Sequence, residues 1–127
     1  MRKIMEVNMS PLHSTSVQEA KDITNMSDAE KKHVPMIHIG GTPQTGTAFE
    51  VTVWVGEQLA HPSEAEHHIE FIDLYLDDMF IARCDLTWGY TYPKACFTVM
   101  LDRPGTLKAY ERCNIHGDWT YSVEVTV

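Results

Sequence analysis

Cysteine is scarce in this chain: Cys84, Cys96 and Cys113 are an odd number at unpaired spacing. That excludes a disulfide-stapled secreted domain and predicts a reducing compartment, the cytoplasm. Basic residues are scarce too, 10 Lys and Arg against 18 Asp and Glu, for a formal charge of −8. With no Lys/Arg run to neutralise phosphates, nucleic acid is not expected as a partner. No apolar run approaches the roughly 20 residues of a membrane span. Glu6, Asn8, Ser10 and Pro11 break up the stretch after Met1-Arg2-Lys3 that a signal peptide would need. Internal repeats, low-complexity segments and Cys-x-x-Cys pairs are also absent. At 127 residues the chain is expected to form one folded domain, large enough to bury roughly two-thirds of its unfolded surface.

What is present divides at residue 26. Residues 1–26 have mixed polarity, and Ser14-Thr15-Ser16 followed by Val17, Ala20 and Ile23 predicts a short helix within an N-terminal arm. Ser27 and Glu30 have the spacing of a capping box, so Asp28–Lys32 is expected to make one helical turn that Pro35 stops. From Met36 the hydrophobic period becomes two. Phe49, Val51, Val53 and Val55 alternate with polar neighbours, as do Ala95, Phe97, Val99 and Leu101, and then Trp119, Tyr121, Val123, Val125 and Val127. Met36–Ile39, Ile69–Leu76, Phe80–Leu86 and Gly105–Cys113 complete about seven strands. The link Arg103-Pro104-Gly105 suits a type II turn. With no long helix between strands, residues 27–127 predict an all-β, antiparallel immunoglobulin-like β-sandwich. Ile69–Leu76, apolar on both faces, suits either an interface or a buried central strand.

Five potential metal ligands follow in order: His33, His61, His67, Cys113 and His116. Structural zinc takes four ligands, usually with several thiolates, so one thiolate with four imidazoles suits redox iron better. A cupredoxin-like electron-transfer protein is the alternative, being another β-sandwich with a late Cys and His. Blue copper, however, expects two His, one Cys and commonly an axial Met, and no Met follows His116. His61 and His67 bracket a loop that can fold back to aim both rings at one centre. His68 then points away, and His13 and His38 read as surface or packing residues. Cys84 reads as a core residue and Cys96 as more exposed. Glu111 interrupts the apolar side shared by Leu107, Ala109 and Cys113, and is expected near the rim. Trp119 either packs near the metal or begins the last strand's core face.

The flanking residues carry more information than donor counting. Lys32-His33-Val34-Pro35, His61-Pro62-Ser63-Glu64-Ala65-Glu66-His67-His68 and Cys113-Asn114-Ile115-His116-Gly117 resemble, in order, three motifs of the superoxide reductases, the family of neelaredoxin and the iron domain of desulfoferrodoxin. The resemblance implies the same seven-stranded fold, one Fe(2+)/Fe(3+) ion per chain, and reduction of superoxide to hydrogen peroxide without oxygen evolution. It implies His33, His61, His67, Cys113 and His116 as ligands, with the thiolate trans to an open sixth position, and Lys32 as a catalytic residue that attracts superoxide and orders water. It also implies rubredoxin or a similar small redox protein as electron donor, and a homodimer or tetramer. Without a Cys-x-x-Cys pair, the chain resembles the one-iron form.

One position departs from the pattern. Many members carry Glu two residues before the first ligand histidine, where it caps oxidised iron; here Lys31 stands there and Glu30 is one residue out of register. Either Glu30 substitutes by a local shift or no carboxylate caps the site. The second is favoured, because the capping box claims Glu30.

Overall fold

The period-two segments form strands, and their apolar faces meet. In the computed structural model, which describes residues 16–127, the strands are β1 (Val17–Gln18), β2 (Pro35–Ile39), β3 (Phe49–Val55), β4 (Ile69–Leu76), β5 (Met79–Asp85), β6 (Lys94–Val99), β7 (Gly105–Cys113) and β8 (Gly117–Val125). Helix α1 spans Asp28–His33. One sheet has the order β1-β8-β7-β4-β5 and the other β2-β3-β6. Every pairing is antiparallel except β1 with β8. No helix among the described residues is long and apolar enough to cross a membrane.

Between the sheets lie Val51, Val53 and Val55 of β3, Ile72, Leu74 and Leu76 of β4, Ala95, Phe97 and Val99 of β6, and Leu107 and Ala109 of β7. Each fully buried aliphatic chain contributes about 1.5–3 kcal/mol relative to exposure, so this layer drives assembly of the sandwich. The continuous run in β4 is explained by its place between β7 and β5. Its outward residues Phe71 and Tyr75 are buried as well, with the Arg83 guanidinium 3.9 Å above the Phe71 ring. It is the buried inner strand of the two readings.

Four local expectations need correction. The helix over the Val17–Ile23 stretch is absent: Val17–Gln18 is extended and pairs with Asp118 and Trp119 of β8, because tertiary pairing overrides a weak helical pattern. The rest of that expectation, residues 1–15, lies outside the described residues, as does His13. The two-residue strand makes eight strands rather than seven among the described residues. Gly105 does not take the positive φ a type II turn requires. It is needed for close approach instead, since a Cβ there would lie 2.6 Å from the Asp77 carboxylate, which accepts from the Thr106 amide at 2.9 Å. Finally, Glu111 is not at the rim; it is fully buried in β7.

Candidate metal centre

Each donor reaches the site through a short, identifiable device. His33 ends α1, whose start is held by Ser27 Oγ accepting from the Glu30 amide (3.2 Å) and Glu30 Oε1 accepting from the Ser27 amide (2.8 Å). This is the expected capping box. Pro35 forces Val34 into an extended conformation (φ −65°, ψ 125°), so the helix stops with the His33 ring turned inward and buried. Cys113 and His116 sit at either end of the hairpin between β7 and β8, where Cys113 pairs with Gly117. Gly117 has φ +80°, the left-handed residue that closes a three-residue hairpin loop. Below this turn, Arg112 Nε donates to Asp118 Oδ1 at 2.8 Å and Tyr110 donates to the same carboxylate, fixing the strand ends.

His61 and His67 lie on the loop between β3 and β4. A backbone pair, Glu64 N to His67 O (2.9 Å) and His67 N to Glu64 O (3.1 Å), folds that loop back on itself. Asn114 then ties it to the Cys113 turn: its Oδ1 accepts from His68 N (2.8 Å) and its Nδ2 donates to Glu66 O (3.1 Å). The sequence pattern contained Asn114 without revealing this role.

The four imidazoles form a closed ring. Neighbouring ring centroids lie 4.9 Å (His33–His61), 4.4 Å (His61–His67), 5.0 Å (His67–His116) and 5.0 Å (His33–His116) apart, each pair edge-to-face at 71–77°. His33 and His67 face one another across the ring at 6.3 Å. The donor atoms of His33, His67, Cys113 and His116 all lie within 4.8 Å of one another. His61 is not within that group of four; it joins through its ring contacts with His33 and His67.

Protonation is set by the outer partners. His33 Nδ1 lies 2.7 Å from Ala29 O, and His61 Nδ1 lies 2.7 Å from Pro62 O. A carbonyl only accepts, so each Nδ1 carries the hydrogen and each Nε2 keeps its lone pair. Nε2 of His33, His61 and His67 is buried without a hydrogen-bond partner, a condition that a buried polar atom rarely tolerates. Burial holds His33 and His67 below the usual histidine range and pushes His61 down to about 4, aided by the neighbouring rings. Neutral imidazole is the form that binds a cation. Burial raises the Cys113 thiol, opposed by the His116 and Ile115 amides, of which His116 N approaches Sγ at 3.4 Å. A cation alongside would reverse that balance and favour thiolate. Inward lone pairs, locked tautomers and a buried sulfur fit a transition-metal ion.

Access is from the side of the rings. A cleft of roughly 420 Å³ is lined by Gln18, Asp28, Ala29, Lys32, His33, His67, His116 and Trp119. Cys113, only 1% exposed, is not in its wall. Trp119 stacks on His33 (5.1 Å, 14°), so of its two sequence readings the structure realises the one beside the site. Glu30 is unavailable to the cleft, because its Oε2 also accepts from the Lys21 amide at 3.1 Å. Glu111, opposite Trp119 in the β7–β8 ladder, has both oxygens buried without a partner; burial first, then the Asp118 charge, pushes its carboxyl well above the usual range. Cys84 packs against the core and Cys96 is exposed, both as expected. His38 pairs with Glu57 on the surface.

Comparisons with known proteins identify the family. The family model for desulfoferrodoxin matches residues 25–122. The chain is similar to the superoxide reductase of Pyrococcus abyssi (36% identity, covering 75% of this chain and 88% of that one) and to the neelaredoxin of Megalodesulfovibrio gigas (32%, covering 76% and 88%). Among solved structures it resembles a superoxide reductase (neelaredoxin) from Ignicoccus hospitalis, with a TM-score of 0.75 at 28% identity over 87% of this chain and 94% of that one. The family match over residues 25–122, together with these relatives, places the chain in the desulfoferrodoxin family of superoxide reductases.

Proposed function

We propose that this protein is a superoxide reductase, which reduces superoxide by one electron to hydrogen peroxide at a mononuclear non-haem iron, one ion per chain, without evolving oxygen. His33, His61, His67, His116 and Cys113 would hold the iron. The observation that carries this reading is the closed ring of four imidazoles with a buried sulfur beside it and a cleft on the ring side. Iron bound there would supply the electron, and the Cys113 thiolate would raise the electron density available for transfer.

The rest falls to the chain's own residues. Superoxide must gain two protons as well as one electron, and it must reach a molecule whose net charge is −8. Lys32, half-buried in the wall of the cleft, would provide local attraction against the long-range field and order water for proton delivery. Trp119, stacked on His33, would exclude water from one flank. With Glu30 committed to two backbone amides, Glu30 would not cap the oxidised ion, leaving room for water, hydroxide or small anions. The copper alternative is less well supported, because four rings converge where a blue-copper site uses two.

Residues 27–127 would form the iron-binding domain and residues 1–26 its arm. Rubredoxin or a similar small redox protein would return the electron, and the protein would work in the cytoplasm as a homodimer or tetramer. The test is metal analysis after anaerobic purification, joined to stopped-flow decay of superoxide with peroxide and oxygen measured. One peroxide per superoxide with no oxygen is expected. Stoichiometric oxygen release, or a chain that retains zinc or copper in place of iron, would refute the proposal. For Lys32, Lys32→Ala is expected to slow the second-order reaction and flatten its dependence on ionic strength; wild-type rates at every salt concentration would remove its role.

A further inference from the structure

One wall of the cleft over the proposed iron position comes from the segment that precedes the match to the family model. The family match begins at residue 25, yet Gln18 of β1 lines the cleft together with Lys32, His33, His67, His116 and Trp119. Its place is fixed by the parallel pairing of Gln18 with Trp119 in β8. From there, Gln18 Nε2 donates to His116 O at 2.8 Å and approaches Asp118 O at 3.4 Å. These carbonyls flank Gly117, whose φ of +80° makes the chain turn between them. A Cβ on Gly117 would lie 3.5 Å from the Gln18 amide nitrogen, so the side chain spans this bend closely.

We propose that Gln18 is a positioning residue for the metal centre: its amide clamps the His116 carbonyl and so sets the pitch of the turn that delivers Cys113 and His116. The physical route is short. Holding the His116 carbonyl orients the peptide plane between His116 and Gly117, which restricts the His116 backbone and hence the direction of its ring. The same turn carries Sγ of Cys113, 3.8 Å from His116 Nδ1. His116 needs such help more than its partners, because His33 and His61 are locked by ring hydrogen bonds to carbonyls, and His116 is exposed. A segment N-terminal to α1 thereby contributes to the orientation of two proposed ligands.

This inference rests on the proposed ligand set, and its test reads the centre without turnover. Full-length protein loaded with Fe(II) would be compared as wild type, Gln18→Met, which keeps length but has no N–H, and Gln18→Glu, which sets an acceptor against two carbonyl oxygens. Iron loss to an excess chelator and the thiolate-to-iron absorption of the oxidised protein would be recorded, with thermal unfolding of the metal-free forms. The Met variant is expected to lose iron about two- to tenfold faster, the weight of one hydrogen bond. The Glu variant should lose it faster still, and the absorption band should shift in both, with metal-free unfolding unchanged. Wild-type iron loss and an unshifted band in Gln18→Met would overturn the proposal, as would an equal loss of stability in the metal-free protein. Wild-type protein that held iron but did not reduce superoxide would sink the functional reading alone.

Discussion

Gly56 offers a direct measurement of how tightly the fold sets one proposed ligand. It follows β3 with φ +79°, and a Cβ there would lie 2.7 Å from His61 N, 3.0 Å from Leu59 O and 3.2 Å from His61 Cβ. Ordinary contact begins at 3.4 Å, so in Gly56→Ala the His61 backbone must withdraw by about 0.7 Å. Metal–ligand distances tolerate about 0.2 Å, so His61 could not stay at bonding distance without wider rearrangement. Gly46 supplies the control: φ is +73° and nothing lies within 4 Å of its Cβ position. Gly46→Ala therefore carries only the left-handed penalty of about 1–2 kcal/mol, whereas Gly56→Ala adds an overpacking cost for a total of about 2–5 kcal/mol. Urea unfolding of the metal-free proteins measures that difference, and iron loss to a chelator measures the effect on the site. If Gly56→Ala matched Gly46→Ala in both, the claim that Gly56 positions His61 by close contact would be refuted.

Glu111→Gln probes the buried carboxyl. Its folded-state pKa lies above the ordinary 4.5, so its contribution is whole below about that pH and is lost as pH rises toward the folded value. Wild-type metal-free protein should therefore lose stability relative to the variant by up to about 1.4 kcal/mol per pH unit above that point, and parallel stability–pH curves would contradict it. Ser27→Ala removes the acceptor for the Glu30 amide and should cost about 1 kcal/mol in denaturant unfolding, with Ser27→Asp restoring most of it. An unchanged unfolding midpoint in Ser27→Ala would show that α1 is held by its contacts alone.

Much of the architecture was legible because its causes are local. Valines alternating through Phe49–Val55 need one dry face, and Ser27 with Glu30 and then Pro35 bound a helix that could have only about one turn. The candidate donors could be nominated for a chemical reason: a metal ion accepts few side-chain types, so His and Cys in a fixed order narrow the options sharply. Other features were hidden because they depend on a partner distant in the chain. Glu111 lies on the same strand face as Leu107 and Ala109, and only the opposing sheet decides that this face is dry at its end. Gly105 is constrained by Asp77, a neighbour no turn rule mentions. Val17–Gln18 looks helical until β8 offers a ladder to join.

Residue chemistry and periodicity were enough to specify a β-sandwich and to nominate five donors, since alternation and coordination preference are properties of short stretches. The closed ring of four imidazoles, the tautomers of His33 and His61 and the side on which the cleft opens were decided by the packed chain. Carbonyls of Ala29 and Pro62, the Asn114 staple and the Gln18 clamp act through distances of about 3 Å between groups that, apart from the two short-range carbonyl bonds, are tens of residues apart, and only a folded backbone brings such groups together.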